Sequence, residues 1–223
     1  EVWHARTQVG QPKRPTPLLR SEITHFTVNP TWTVPPTILR NDKLPQIRAD
    51  IGYLARNNMR VLDRQGKELD PYAIDWQQPG AIMLRQDAGP GNALGQVAIR
   101  FPNPFSVYLH DTPSQRLFGR DQRAVSSGCV RVEHALELTQ LLLEEDGYHE
   151  PDTLQSTLES RKTRNLRLLT PVPILLAYSG VAENQAATGT RPDIYGRDAK
   201  LIRALERVAS IRPAPVSSCA PKF

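Results

Sequence analysis

The chain has 223 residues, 39% of them hydrophobic and 23% charged, which is too apolar for a disordered polymer and too polar for a membrane bundle. Against 23 acidic residues stand 28 basic ones, a net charge of +5 that suits any acidic partner but selects none; aromatics at 6% and no recognisable module argue against nucleic acid. The longest nearly apolar run, residues 168–178, is about half the ~20 residues a membrane-spanning helix needs, and Pro171 and Pro173 interrupt it.

Twenty prolines favour strands and ordered loops over long helices, so a mainly β (α+β) fold is expected. In chain order, β-branched or alternating apolar residues predict a strand at 21–28. Residues 41–78 differ in character: a short helix at 44–56, a strand at 59–62 and a turn at 64–67 read together as an inserted cap. Further strands are expected at 82–85, 96–101, 106–110 and 172–179. Helical periodicity covers 132–145, with Val132, Ala135, Leu138 and Leu142 on one face, and a second helix is expected from 153 to 158 and onward. The basic cluster Arg161, Lys162, Arg164 and Arg167 reads as a solvated helix face. A last helix at 198–208 carries Leu201, Ile202, Leu205 and Val208 at core spacing behind Asp198 as N-cap. Residues 212–223, with three prolines and no periodicity, predict a disordered tail. The chain opens at Glu1 without Met or a charged-then-apolar leader, so it reads as a mature form or a piece of something longer.

No zinc motif is present and the five histidines are dispersed, so no metal site is expected. The glycines at 89, 91 and 95 lack the spacing that cradles a dinucleotide or phosphate, and read as a tight loop between strands; no cofactor is expected. The informative block is Ser126-Ser127-Gly128-Cys129-Val130-Arg131, with His110 nineteen positions upstream in Tyr108-Leu109-His110-Asp111-Thr112-Pro113. A thiol attacks as thiolate, and needs a base or a positive field nearby. His110 is the candidate base; Arg131 and a helix starting near Val132 would supply the field. Gly128 permits the sharp turn that presents successive N–H groups, its own and those of Cys129 and Ser127, to an oxyanion. Alternation along 106–110 puts Tyr108 on the face of His110. The lone Cys219 lies in the tail, and His4, His25, His134 and His149 show no partner pattern.

With these residues in place, the chain resembles the L,D-transpeptidases with a YkuD-type domain, whose signature is a His followed by a Ser/Thr-x-Gly-Cys-apolar-Arg/Asn block. Within that family it is similar to the large, Gram-negative YcbB-type branch through Asn29-Pro30-Thr31-Trp32, Val34-Pro35-Pro36, the loop 89–95, Phe101-Pro102-Asn103 and Arg191-Pro192-Asp193-Ile194-Tyr195. The resemblance implies a β-sandwich catalytic domain over residues 1–211 with a few packed helices, and 41–78 as a lid over the cleft. It implies a Cys129 thioester formed on a tetrapeptide stem of peptidoglycan, release of D-Ala, and 3→3 cross-linking to a second diaminopimelate. Many members carry Gly where Asp111 stands; the group implied to orient His110 is the backbone carbonyl of Asp111, its side chain being a turn residue. Substrate-side roles are expected for Arg131, Tyr108, Ser126 and Trp32, with a structural reading open for three of them: Arg131 paired to a nearby acid, Tyr108 and Trp32 as packing. Carbapenem β-lactams are the implied covalent inhibitors, and a periplasmic location with an inner-membrane anchor in the full-length protein is expected. Hydrolysis of the thioester, attachment of a lipoprotein lysine, and wall binding without chemistry stay open at this point.

Overall fold

A computed structural model describes residues 3–147, 152–179, 181–184, 187–190 and 192–211. The expected tail at 212–223, Cys219 and His149 lie outside the described residues. The chain divides into two compact units, residues 1–176 and 177–223.

In the first unit, β1 (Thr7–Gly10) and β2 (Leu19–Val28) precede β3 (Trp32–Thr33), α1 (Pro36–Ile38), a π-helical turn (Leu39–Lys43), α2 (Leu44–Ala49) and α3 (Gly52–Arg56). Then come β4 (Met59–Leu62), β5 (Glu68–Leu69), β6 (Met83–Gln86), β7 (Val97–Arg100), β8 (Leu109–His110), β9 (Ala124–Ser126) and β10 (Val130–Val132). The unit ends with α4 (Ala135–Glu145), α5 (Asp152–Glu159) and β11 (Arg164–Leu176). Seven strands form one mixed sheet in the order β11, β2, β7, β8, β10, β1, β9; four form a second sheet in the order β3, β6, β4, β5. The segment 41–78 thus contributes α2, α3, β4 and β5 to a layer that opens at β3 and closes with β6.

Each sheet has its own core. Ile23, Phe26, Val28, Val97 and Ile99 pack with Val130, Val132 and Leu142 of the larger one. Trp32, Ile47, Leu54, Val61 and Leu84 pack around the smaller. Strand β7 serves both, since its period-2 alternation sends Val97 and Ile99 to the first core and Ala98 to the second.

Four local expectations are corrected. The helix expected from Val132 begins at Ala135, because β-branched Val130 and Val132 alternate around Arg131 as strand β10, both buried, and His134 turns the chain at φ 56°. The strand expected at 106–110 pairs only over Leu109–His110; Asn103 holds Val107 through its side chain, and Ser106 sits at φ 55°. Arg164 and Arg167 lie on β11, not on a helix face: the strand pairs with β2 at both ends and absorbs a register shift between Arg167 and Val172, beside the prolines. The helix at 44–56 is broken at Asp50, which leaves helical geometry and accepts the Gly52 N–H at 2.8 Å, starting α3.

The second unit holds a hairpin, β12 (Val181–Asn184) with β13 (Ala187–Thr190), and α6 (Asp198–Ile211). Its helix start is held by Asp193, which accepts the N–H groups of Arg197 and Asp198 at 2.8 and 2.9 Å; this corrects the expectation of Asp198 as cap. Leu201, Ile202 and Leu205, expected as core, are more than half exposed. Among the described residues no helix is long and apolar enough to cross a membrane.

Candidate active site

Parallel pairing of β8 with β10 sets Leu109 beside Val130 and His110 beside Arg131. Cys129 is the last residue of the turn that feeds β10, and His110 ends β8, so adjoining strands deliver both to one cleft of about 750 Å³. Tyr108, Ser126, Ser127, Arg131 and Trp32 border the same cleft, as do four residues the sequence did not single out: Arg14, Asp42, Lys43 and Arg100.

The turn before Cys129 is tightly specified. Gly128 sits at φ 119°, closed to most side-chain-bearing residues, while an added Cβ would meet nothing nearer than 3.8 Å; conformation, not space, demands glycine. Buried Ser126 spans the turn, its hydroxyl donating to the Cys129 carbonyl at 2.5 Å and accepting the Gly128 N–H at 3.1 Å. That bond occupies the Gly128 amide, which was expected to face an oxyanion.

His110 is 4% exposed, and its Nδ1 lies 2.5 Å from the Asp111 carbonyl. With the proton on Nδ1 for that bond, Nε2 is the ring nitrogen left to exchange a proton. The Asp111 carboxylate braces the same corner, accepting the Gln96 N–H at 2.9 Å and a Gln115 side-chain N–H at 2.9 Å.

Burial sets the protonation of the pair. It raises the Cys129 thiol above its ordinary value, opposed by hydrogen bonds from the Tyr108 N–H and hydroxyl and by the charges of Arg100 and Arg131. It lowers His110 to about 4, opposed by the Asp111 carbonyl and reinforced by Arg131 and Arg100. Burial thus disfavours the charged form of both groups. The expected helix N-terminus does not reach the sulfur: strand β10 separates Cys129 from α4.

Tyr108 links the parts. Its ring centroid is 5.7 Å from that of His110, and the Arg100 guanidinium lies over the Tyr108 ring at 4.1 Å from the centroid. Burial above all pushes its hydroxyl up to about 12. Arg131 donates from Nη1 to Gln8 at 3.0 Å, so its partner is an amide and not the acid considered from sequence; its buried Nε has no hydrogen-bond partner among the described residues. Trp32 is 8% exposed and packs in the smaller core while bordering the cleft, with Lys43 Nζ 5.5 Å from its ring centroid. Among the described residues no group of three His, Cys, Asp or Glu could hold a metal.

A thiol, an imidazole with one free nitrogen and several cations around one cleft are the parts an acyl-transfer site uses. Residues 1–174 match the family model of the YkuD L,D-transpeptidase catalytic domain. A Haemophilus influenzae protein named "Putative L,D-transpeptidase" is 37% identical over 204 residues, covering 90% of this chain and 41% of that relative. The chain spans less than half the length of this curated relative. Fold, cleft and sequence agree, and the chain belongs to the YkuD L,D-transpeptidase catalytic domain family.

Proposed function

We propose that the chain catalyses acyl transfer between peptidoglycan stem peptides through a thioester on Cys129. The observation that carries this reading is the single cleft in which the Cys129 thiol and the oriented His110 ring share a border with Arg14, Lys43, Arg100 and Arg131. Those cations outnumber the one acid there, Asp42, and suit a substrate rich in carboxylates.

In this reading a neutral pair begins the reaction. His110 Nε2 takes the thiol proton as sulfur attacks the carbonyl of the third stem residue, diaminopimelate, so charge develops only along the reaction path. The developing oxyanion draws on the Cys129 amide and the Tyr108 hydroxyl, with Gly128 giving the turn its shape. The imidazolium passes its proton to the departing D-Ala amine. A second diaminopimelate amine then gives up a proton to His110 and attacks the thioester; the C–S bond breaks as the 3→3 amide forms, and the imidazolium returns the proton to the leaving sulfur. The cap segment 41–78 would favour this aminolysis over water by covering the cleft. We place the chain in the YcbB-type branch, with the full-length protein anchored at the inner membrane and acting in the periplasm, and infer that carbapenems acylate Cys129.

Incubation with purified disaccharide-tetrapeptide tests the reading, with products followed by mass. Cross-linked dimers formed with loss of D-Ala, absent in Cys129→Ala, support it. Tripeptide alone would make the chain a hydrolase, and an intact mass unchanged by a carbapenem would count against a reactive Cys129.

A further inference from the structure

Loop residues 11–16 touch each of the three residues that lead into Cys129. The Gln11 N–H donates to the Ser126 carbonyl at 3.0 Å, Arg14 Nη1 to the Ser127 hydroxyl at 3.0 Å, and the Thr16 hydroxyl to the Gly128 carbonyl at 2.9 Å. Arg14 also faces the other way. Its Nη1 and Nη2 hold both oxygens of Asp42 at 2.6 and 3.0 Å, and Asp42 belongs to the π-helical turn at the start of the cap segment. Only a quarter of the Arg14 side chain is exposed. The Asp42 carboxyl is held below its ordinary range, first by this hydrogen bond, so the pair stays charged through the neutral range. A planar guanidinium with five donors can bind a carboxylate in bidentate fashion and keep a hydrogen for a hydroxyl; a lysine cannot.

We propose that Arg14 is a positioning residue that clasps the cap turn to the turn carrying Cys129, so that closure of the cleft rim and placement of the sulfur are one event. The inference rests on the proposed function only in naming the transfer it would serve.

The test uses the full chain in a Cys219→Ser background, so that Cys129 is the remaining thiol, and measures its alkylation rate with iodoacetamide. Asp42→Asn and Arg14→Gln should each raise the rate about threefold, the scale of one partly exposed ion pair. The double variant should match the larger single effect, because both break the same clasp. Arg14→Lys should fall between wild type and Arg14→Gln. Thermal midpoints of all variants should stay within about 2 °C of wild type, which separates local opening from unfolding. The expected second readout is a fall in the ratio of cross-linked to hydrolysed product. Unchanged alkylation rates overturn the clasp, and so do multiplying effects in the double variant or rates that track a falling midpoint. Alkylation needs no peptide substrate, so failure of wild type to cross-link would sink the proposed function and leave this measurement standing.

Discussion

Cys129 and His110 experience the same burial with opposite results, and pH is the handle on both. His110 has a folded value near 4 against 6.5 unfolded, so below pH 6.5 the unfolded chain binds a proton that the native ring refuses. Its contribution to stability is therefore complete above pH 6.5 and is lost progressively down to about pH 4, by up to about 3 kcal/mol. Urea midpoints taken across that window should fall in wild type and flatten in His110→Gln; parallel curves would refute the assignment. The raised thiol gives a second expectation. Alkylation of Cys129 should keep climbing past pH 9, the ordinary thiol value, with no plateau at neutral pH of the kind a preformed ion pair would give. At this scale the shared cleft of Cys129 and His110 and the turn at Gly128 were legible, because a thiol and an imidazole are the atoms the proposed chemistry needs and the turn needs a particular φ. Arg100 and Arg14 were not legible: an arginine's role depends on which ring or carboxylate folding brings beside it, and Tyr108 and Asp42 are brought there only by folding.

Loops do at the level of elements what no single side chain does. The loop 89–95 fixes the corner next to His110: Asn92 is 1% exposed and donates to the Asp87 carbonyl at 2.9 Å, and the following Gln96 N–H grips the Asp111 carboxylate. Gly95, at φ 62°, would drive a Cβ to 2.2 Å from that carboxylate. Gly95→Ala and Asp111→Ala should each lower turnover on the order of tenfold by misplacing the Asp111 carbonyl that orients His110, with the Cys129 alkylation rate nearly unchanged. Loss of alkylation in step with turnover would show general disruption instead. Strand 59–62 was readable from Met59-Arg60-Val61-Leu62 because it is a short apolar run with a β-branched residue and a turn follows. The start of α4 was not, since Val132 satisfies a helical stripe and a buried strand equally well; pairing with Thr7 of β1 decides it.

Across the whole first unit, the site lies where two cores meet. Tyr108 packs partly against both, and β7 feeds one from each face. Leu84 in the smaller core and Ile99 in the larger are both 0% exposed. Leu84→Ala and Ile99→Ala should each cost about 2–5 kcal/mol, seen as a lower urea midpoint with an unchanged slope. A shallower slope for Leu84→Ala alone would mean that the smaller layer melts by itself. That the chain would be mainly β was readable from its prolines and short alternating runs, whereas two separate cores were not, because Ala98 and Ile99 look alike until the pleat sorts them. The prolines have a further effect where β11 forms the outermost strand of the seven-stranded sheet. Fibril growth recruits new chains through unsatisfied N–H donors along such a margin, and Pro171 and Pro173 have none to offer. The same residues that interrupt the most apolar run of the sequence thereby leave two positions without a donor between the exposed Leu169 and Leu175.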